Sequence, residues 1–114
     1  MTREIISNLP METDFTTDWV KATIRDYRTK DKYAVANVQI VWTGVSANPD
    51  ATIRIEITND LLYKTKSAVH NVNNTNNSDD ALMISMDGGF RFFRFVYTAN
   101  SVLTGRLTII ANYE

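Results

Sequence analysis

Apolar and polar residues alternate along most of this chain. In the clearest segment, residues 51–58, an alanine and three isoleucines occupy every second position and polar residues lie between them. A period of two predicts a β-strand with one buried face, so we expect the isoleucine side to face a core and the other side to face water. The same reasoning predicts further strands at 19–25, 33–42, 81–86, 90–97 and 104–113, and a short one at 63–69.

Turn signals separate these predicted strands. The run Asn48-Pro49-Asp50 and the run Asp87-Gly88-Gly89 combine residues that close turns with their own side chains or tolerate a positive φ. No segment of more than about ten residues shows the 3.6-residue period of an amphipathic helix. Six or seven short strands joined by turns predict an all-β fold, an antiparallel β-sandwich or jelly roll, as a single domain over residues 19–114.

The first 18 residues show neither period, and we predict that they form an extended N-terminal arm, residues 1–18. Among the apolar side chains of this arm are Ile5, Ile6, Leu9 and Phe15. They need a surface to cover them, either on the same domain or on a neighbouring subunit, and the sequence leaves both positions open. The four residues are therefore candidates for a subunit contact.

A long connection between residues 61 and 80 contains the second candidate contact. Long connections in compact domains are commonly functional, because loops lie on the surface. The second half of this segment is rich in asparagine, and its tip is predicted to be exposed. The residues proposed for contact are Asn71, Asn73, Asn74, Asn76, Asn77 and Asp79.

Composition narrows the possible partners. The 114 residues are 44% hydrophobic and 22% charged, which is typical of one soluble globular domain. A net charge of −1 gives no overall positive field for nucleic acid or anionic lipid. There is no run of about 18 apolar residues for a membrane helix, and the first ten residues lack the apolar core of a signal peptide. We therefore expect no nucleic-acid partner, no membrane association and no classical secretion.

Catalytic chemistry finds little support in the sequence. The chain has no cysteine, which removes disulfides, thiolate nucleophiles and cysteine zinc sites. His70 is the single histidine, and no orienting partner or metal-ligand spacing accompanies it. We expect no enzyme activity, no metal and no cofactor.

Aromatic and basic residues interleave at 90–95, FRFFRF, in the manner of a platform for single-stranded nucleic acid. Strand alternation, however, puts Phe93, Phe95 and Tyr97 on one face and Arg94 on the other. We interpret the segment as core aromatics, with an arginine that pairs across the sheet or at an interface.

Carbohydrate binding stays open as a different class of function. Sandwich domains bind sugars through flat aromatic faces and polar loop residues, and several aromatics could serve here: Trp19, Tyr27, Tyr33 and Tyr63. Ordinary packing of a chain with 11% aromatic residues is the simpler explanation. Spacing alone does not separate the two.

Four segments together resemble a known family. VQIVWTG at 38–44 ends on W-x-G, ATIRIEITND at 51–60 closes on T-N-D, FRFVYT at 93–98 contains R-x-x-Y-T, and TGRLTII at 104–110 contains G-x-L. In this order they resemble small β-sandwich virion proteins of tailed bacteriophages, crAss-like phages among them. The resemblance covers about residues 33–113. The Asn-rich insertion after Asp60 departs from the family pattern, and carbohydrate-binding sandwiches share parts of it.

The resemblance implies a structural role and brings no catalytic residue or cofactor. It implies a capsid decoration, head-fibre or tail-associated protein that assembles in the host cytoplasm and resides in the virion. Its partners would be further copies of itself, as a homo-oligomer, and other virion proteins. The alternative from the residues is a carbohydrate-binding module with a glycan partner.

Overall fold

A computed structural model describes residues 1–46, 49–72, 80–86, 89–102 and 104–114. Every regular element in these ranges is a β-strand. In chain order they are β1 Thr2–Pro10, β2 Phe15–Thr16, β3 Val20–Lys21, β4 Thr23–Arg25, β5 Lys32–Thr43, β6 Asp50–Thr58, β7 Thr65–Val72, β8 Asp80–Ser85, β9 Phe92–Ser101 and β10 Arg106–Tyr113. No helix in the described ranges is long and apolar enough to span a bilayer.

The strands form two antiparallel sheets. In the first sheet β10 lies between β1 and β5, and the far edge of β5 pairs with β4 near its start and with β8 near its end. In the second sheet β9 lies between β6 and the two short strands β2 and β3, and β7 covers the other edge of β6. The chain passes from one sheet to the other repeatedly, which is the jelly-roll arrangement. The predicted fold class is confirmed.

The core lies between the central strands of the two sheets. On β9 and β10 alternate side chains are buried, as the period of two predicts, whereas β5 and β6 each depart from the alternation at one point. The fully buried set from the first sheet includes Val38, Ile40, Leu107, Ile109 and Tyr113, and that from the second includes Ile53, Ile55, Phe93, Phe95 and Tyr97. Each such aliphatic or phenyl side chain contributes about 1.5–3 kcal/mol by leaving water.

The predicted arm lies along its own domain, which is one of the two positions that the sequence left open. Half of it is β1, an edge strand paired with β10 from Thr2 opposite Asn112 to Pro10 opposite Arg106. A contact between residues 1–18 and a second subunit stays a prediction, as does their division from the sandwich at residue 19.

The strand predicted at 19–25 is two strands that belong to different sheets. β3 pairs with β9 in the second sheet, and β4 pairs with β5 in the first. Ala22 lies buried at the corner, where its N–H donates to the carbonyl of Arg91 and its carbonyl accepts from Val35 N–H. Because the alternation of apolar and polar residues continues through this corner, the pattern gave no sign of it.

The predicted short strand at 63–69 is β7, shifted to residues 65–72. Of the predicted loop contacts, Asn71 is exposed near the end of this strand. Asn73, Asn74, Asn76, Asn77 and Asp79 lie outside the described residues, so the predicted contact at this tip stays a prediction.

Candidate functional site

A groove with a mixed apolar and polar lining runs along one side of the sandwich, between edge strand β1 of the first sheet and edge strands β2 and β3 of the second. Its volume is about 650 Å³. All four apolar residues predicted for subunit contact line it, although a turn separates Phe15 on β2 from the other three on β1. Its apolar lining consists of Ile5, Ile6, Leu9, Phe15, Trp19 and Val20, and charged residues Arg3, Glu4, Asp18 and Lys21 also line it.

Irregular pairing of β1 places neighbouring isoleucines in the same groove. In a regular strand Ile5 and Ile6 would face opposite ways. The register of β1 against β10 shifts between Glu4 and Ile6, and again between Ile6 and Leu9. Asn8, within the second shift, has a φ of 52°. Such bulges re-aim side chains and interrupt the pairing edge, and here they leave both isoleucines half-buried in one groove.

Phe15 packs on an anchored aromatic at one end of the groove. Its ring stacks on Tyr97 with a centroid distance of 5.1 Å. The Tyr97 hydroxyl, which lies in the core, donates to the carbonyl of Met11 over 2.8 Å. Burial, with the nearby charges of Asp14 and Glu12, raises the pKa of Tyr97 to about 12, so the hydroxyl stays protonated and keeps donating at neutral pH. Tyr97 thus ties β9 to the turn between β1 and β2.

The same turn is held from the opposite sheet by Gly105. Met11 is fully buried, and its N–H donates to the carbonyl of Gly105 over 3.1 Å. Gly105 has a φ of +151°, and a Cβ at this position would lie 2.8 Å from Met11 Sδ. Only glycine fits both the backbone and the space.

Side-chain and backbone hydrogen bonds fix the second wall of the groove. Thr17 exchanges two bonds with Phe95, since its N–H donates to the Phe95 carbonyl over 2.9 Å and its hydroxyl accepts from Phe95 N–H over 3.0 Å. The Tyr113 hydroxyl, from the first sheet, donates to the Lys21 carbonyl over 2.8 Å. Burial raises the pKa of Tyr113 despite the opposing charge of Arg3. Both walls are therefore attached to core strands.

An ion cluster on the outer face of the second sheet borders the groove. Glu56 Oε1 accepts from Arg94 Nε over 2.8 Å, Glu56 Oε2 lies 3.1 Å from Arg54 Nη2, and Lys64 Nζ lies 3.9 Å from Oε1. The Arg94 guanidinium lies over Trp19 at 4.3 Å from the ring centroid, which connects the cluster to the groove lining. The predicted pairing of Arg94 across the sheet is confirmed.

This cluster corrects the prediction that the polar face of β6 is wet. Glu56 and Thr58 are only 4% and 5% exposed. Burial raises the pKa of Glu56, but the hydrogen bond from Arg94 and the charges of Arg94, Lys64 and Arg54 outweigh it and hold the pKa below its usual value. Glu56 is covered because long cationic side chains fold over it, which an alternation pattern does not register.

The turn after β6 presents a group of exposed apolar side chains of which only Tyr63 was a candidate from the sequence. Leu61, Leu62 and Tyr63, named here the apolar tip, are 50%, 76% and 77% exposed. The available signal was an apolar Leu-Leu-Tyr run directly after the Asn59-Asp60 turn residues. A run of three large apolar residues beside a turn predicts either burial or contact, and the structure leaves all three exposed.

The remaining candidate residues belong to different elements of the fold. Tyr27 is 90% exposed in the turn between β4 and β5, Tyr33 is half-buried on β5, and Tyr63 belongs to the apolar tip. His70 lies on β7 opposite Ile53. Within the ranges that the structure describes, no group of three or more His, Cys, Asp or Glu side chains is placed to hold a metal ion.

Comparisons with known proteins show the fold. No protein family and no curated protein matches the sequence. Among solved structures, all of this chain superimposes on the PBSX exported protein XepA with a TM-score of 0.57 and 13% identity. A structure of infectious bursal disease virus, Gx strain, matches 97% of the chain with a TM-score of 0.50 and 8% identity. The chain spans 37% and 31% of those two proteins, so the likeness is to one part of each.

Proposed function

We propose that this protein is a non-enzymatic structural component of a bacteriophage virion, a capsid decoration, head-fibre or tail-associated protein that acts through protein–protein contacts. The observation that carries the proposal is the groove between β1 and β2–β3. Six of its twelve lining residues are apolar, its walls are fixed by core strands, and the pairing of the edge strand beside it is interrupted by bulges. Half-buried apolar side chains gathered in a preformed groove favour a protein partner.

Two further observations support a virion role. The strand order is a jelly roll, an architecture common in viral capsid proteins, and one fold neighbour comes from a virus. The sequence segments around Trp42, Thr58, Tyr97 and Gly105 resemble small virion proteins of tailed phages. The partners are further copies of the chain and other virion proteins.

Quantitative peptide mass spectrometry of gradient-purified particles tests this role. Particles come from a culture that produces the protein, and peptides from this chain are counted against a known major capsid protein. Hundreds of copies per particle place the protein on the capsid lattice, and a few to a few tens place it at the portal, tail or fibres. Peptides that remain at the top of the gradient, away from particles, overturn the proposal.

Glycan binding is the second candidate function, and one feature favours it. Tyr63 stands exposed beside a pocket of about 240 Å³ that Asn59 and Asp60 also line, which combines an aromatic face with polar loop residues. Binding to a broad glycan panel, with Tyr63→Ala as the site variant and Tyr27→Ala as the matched control, tests it. A flat response of the unmodified protein removes this candidate.

A further inference from the structure

The turn after β6 is held rigidly by one hydroxyl and one carboxylate. Thr58 Oγ1 donates to the Tyr63 carbonyl over 2.6 Å and accepts from the N–H groups of Asp60 and Leu61 over 3.3 and 3.2 Å. Asp60 Oδ1 accepts from the N–H groups of Leu62 and Tyr63, each over 2.9 Å. These two backbone hydrogen bonds lower the pKa of Asp60. The turn therefore has a fixed shape before it meets any partner.

The fixed turn holds its apolar side chains away from the domain. Leu61 has a φ of 64°, a left-handed conformation that costs a leucine about 1–2 kcal/mol. This conformation is maintained by the bonds to Thr58 and Asp60, and it leads to the exposed pair Leu62 and Tyr63. A strained, preorganised turn that exposes a leucine and a tyrosine has the features of an interface anchor.

We propose that the apolar tip of one copy occupies the groove between β1 and β2–β3 of a second copy. The inference rests on the proposed structural function and names the partner of that groove. The occupant fits because the groove supplies what the tip lacks: a concave surface of about 650 Å³ lined by Ile5, Ile6, Leu9 and Phe15. Docking removes from water the exposed side chains of the tip and the half-buried apolar side chains of the groove at once.

The charges around the two surfaces are compatible. The groove is bordered by two cations, Arg3 and Lys21, and by two anions, Glu4 and Asp18. The tip is flanked by one residue of each sign, Asp60 and Lys64. Because neither surface carries a single dominant sign, docking does not bring like charges together as a block.

The arrangement makes assembly directional. The groove lies at the β2–β3 edge of the second sheet, whereas the tip follows β6, on the other side of β9. The tip and the groove are thus separate surfaces, and each copy offers both simultaneously. Contacts between two different surfaces are heterologous and generate rings or open filaments rather than closed pairs.

Variants of each surface provide the first test. The double variant Leu62→Asp, Tyr63→Ala removes the tip, and Tyr27→Ala serves as the control for loss of another highly exposed tyrosine. Thr16→Arg blocks the groove from an exposed lining position without removing packed atoms, and Thr16→Val is its control. We expect the tip and groove variants to weaken self-association about 30-fold or more, measured by sedimentation velocity over a range of concentrations, while the controls match the unmodified chain.

Mixing the two variants gives the decisive result. The tip variant retains its groove and the groove variant retains its tip, so one contact per pair is possible and no further copy can add. We expect each variant alone to be monomeric and the mixture to form a 1:1 dimer. Circular dichroism and thermal unfolding test whether each variant is folded. Formation of a dimer in the mixture is independent evidence that both variants are folded.

Three results overturn the inference: an unmodified chain that stays monomeric at every concentration, a tip variant that associates as well as the control, or a mixture that stays monomeric. None of them bears on the particle measurement. If the protein is abundant in purified particles but the mixture stays monomeric, the structural function stands and the partner in the groove is another protein.

Discussion

The centre of the second sheet and the N-terminal corner use similar apolar residues but bury them to different extents. On β9, Phe93 and Phe95 are completely buried, and a regular pleat places every second side chain in the core. On β1, Ile5 and Ile6 are only half-buried, because two register shifts disturb the pairing with β10. A regular strand seals its apolar face within the domain, whereas a bulged edge leaves part of it available for a partner. The first region sustains the fold and the second is suited to contact.

Truncation of a central aromatic is expected to have the largest effect on stability. Phe95 packs edge-on against Phe93 at a centroid distance of 5.8 Å and has no exposed surface. Phe95→Ala should lower the free energy of unfolding by about 3–5 kcal/mol, through lost burial and the cavity that remains. Urea denaturation measures the change.

Ile5→Ala is the matched truncation in the N-terminal corner. Because Ile5 is already half-exposed and lines an open groove, its loss should cost under about 1.5 kcal/mol. Equal losses for the two variants would contradict the distinction between a sealed centre and an open corner.

Substitution of Gly105 is expected to have the next largest effect. Gly105 directly precedes the core strand β10 and contacts Met11 in the turn between β1 and β2. Gly105→Ala forces a side chain into a backbone of φ +151° and against Met11 Sδ at 2.8 Å. Strain and overpacking together should cost about 2–4 kcal/mol.

Gly44→Ala separates these two causes. Gly44 also has a positive φ, +62°, but a Cβ there would meet nothing within 4 Å. It should therefore show the strain alone, about 1–2 kcal/mol, in the same thermal or urea unfolding measurement. If Gly105→Ala costs no more than Gly44→Ala, Met11 is not packed as described.

The same contrast explains what could be predicted from the sequence. The central strands β5, β6, β9 and β10 were predicted within a few residues, because a regular pleat makes burial alternate at the period that the sequence displays. β1 was predicted only as an extended arm, because its bulges break that period. The corner at Ala22 was missed for the opposite reason, since the alternation continues while the strand changes sheets.

The sequence identified four residues of the groove but did not predict that they form one groove. Ile5, Ile6, Leu9 and Phe15 were selected because they are apolar in an otherwise polar segment, and the structure brings them together. That they form one groove depends on the bulges of β1 and on the turn held by Tyr97 and Gly105, which are tertiary contacts about 90 residues apart in sequence. The buried carboxylate of Glu56 was missed because its cover comes from other strands.

Neutralisation of Glu56 is expected to have an intermediate effect on the second sheet. Glu56→Gln removes the negative charge that Arg94, Arg54 and Lys64 surround, and it should lower the free energy of unfolding by about 1–3 kcal/mol at neutral pH. Glu4→Gln, an exposed carboxylate beside the groove, should change it by less than about 0.5 kcal/mol.

The pH dependence of the Glu56 variant tests the cause. The pKa of Glu56 is lowered in the folded protein, so its contribution is present above the ordinary glutamate pKa and is lost as the pH falls through the lowered value. The stability difference between Glu56→Gln and the unmodified protein should therefore shrink on acidification. A difference that is constant down to strongly acidic pH would show that the charge of Glu56 does not stabilise the fold.

The smallest expected effect concerns the hydroxyl that joins β9 to the N-terminal turn, and it appears only at alkaline pH. The pKa of Tyr97 is about 12 when folded and about 10 when unfolded, so its contribution is complete below pH 10 and is lost as the pH rises towards 12. At pH 11 the unmodified protein should have lost about 1 kcal/mol from this group.

Tyr97→Phe lacks the hydroxyl bond to Met11 and should lose stability less steeply between pH 9 and 11. Thermal unfolding across this interval compares the slopes, and Tyr113, which titrates in both proteins, cancels from the difference. Equal slopes would mean that the Tyr97 hydroxyl is not held in the core, and that the corner is anchored by Gly105 without it.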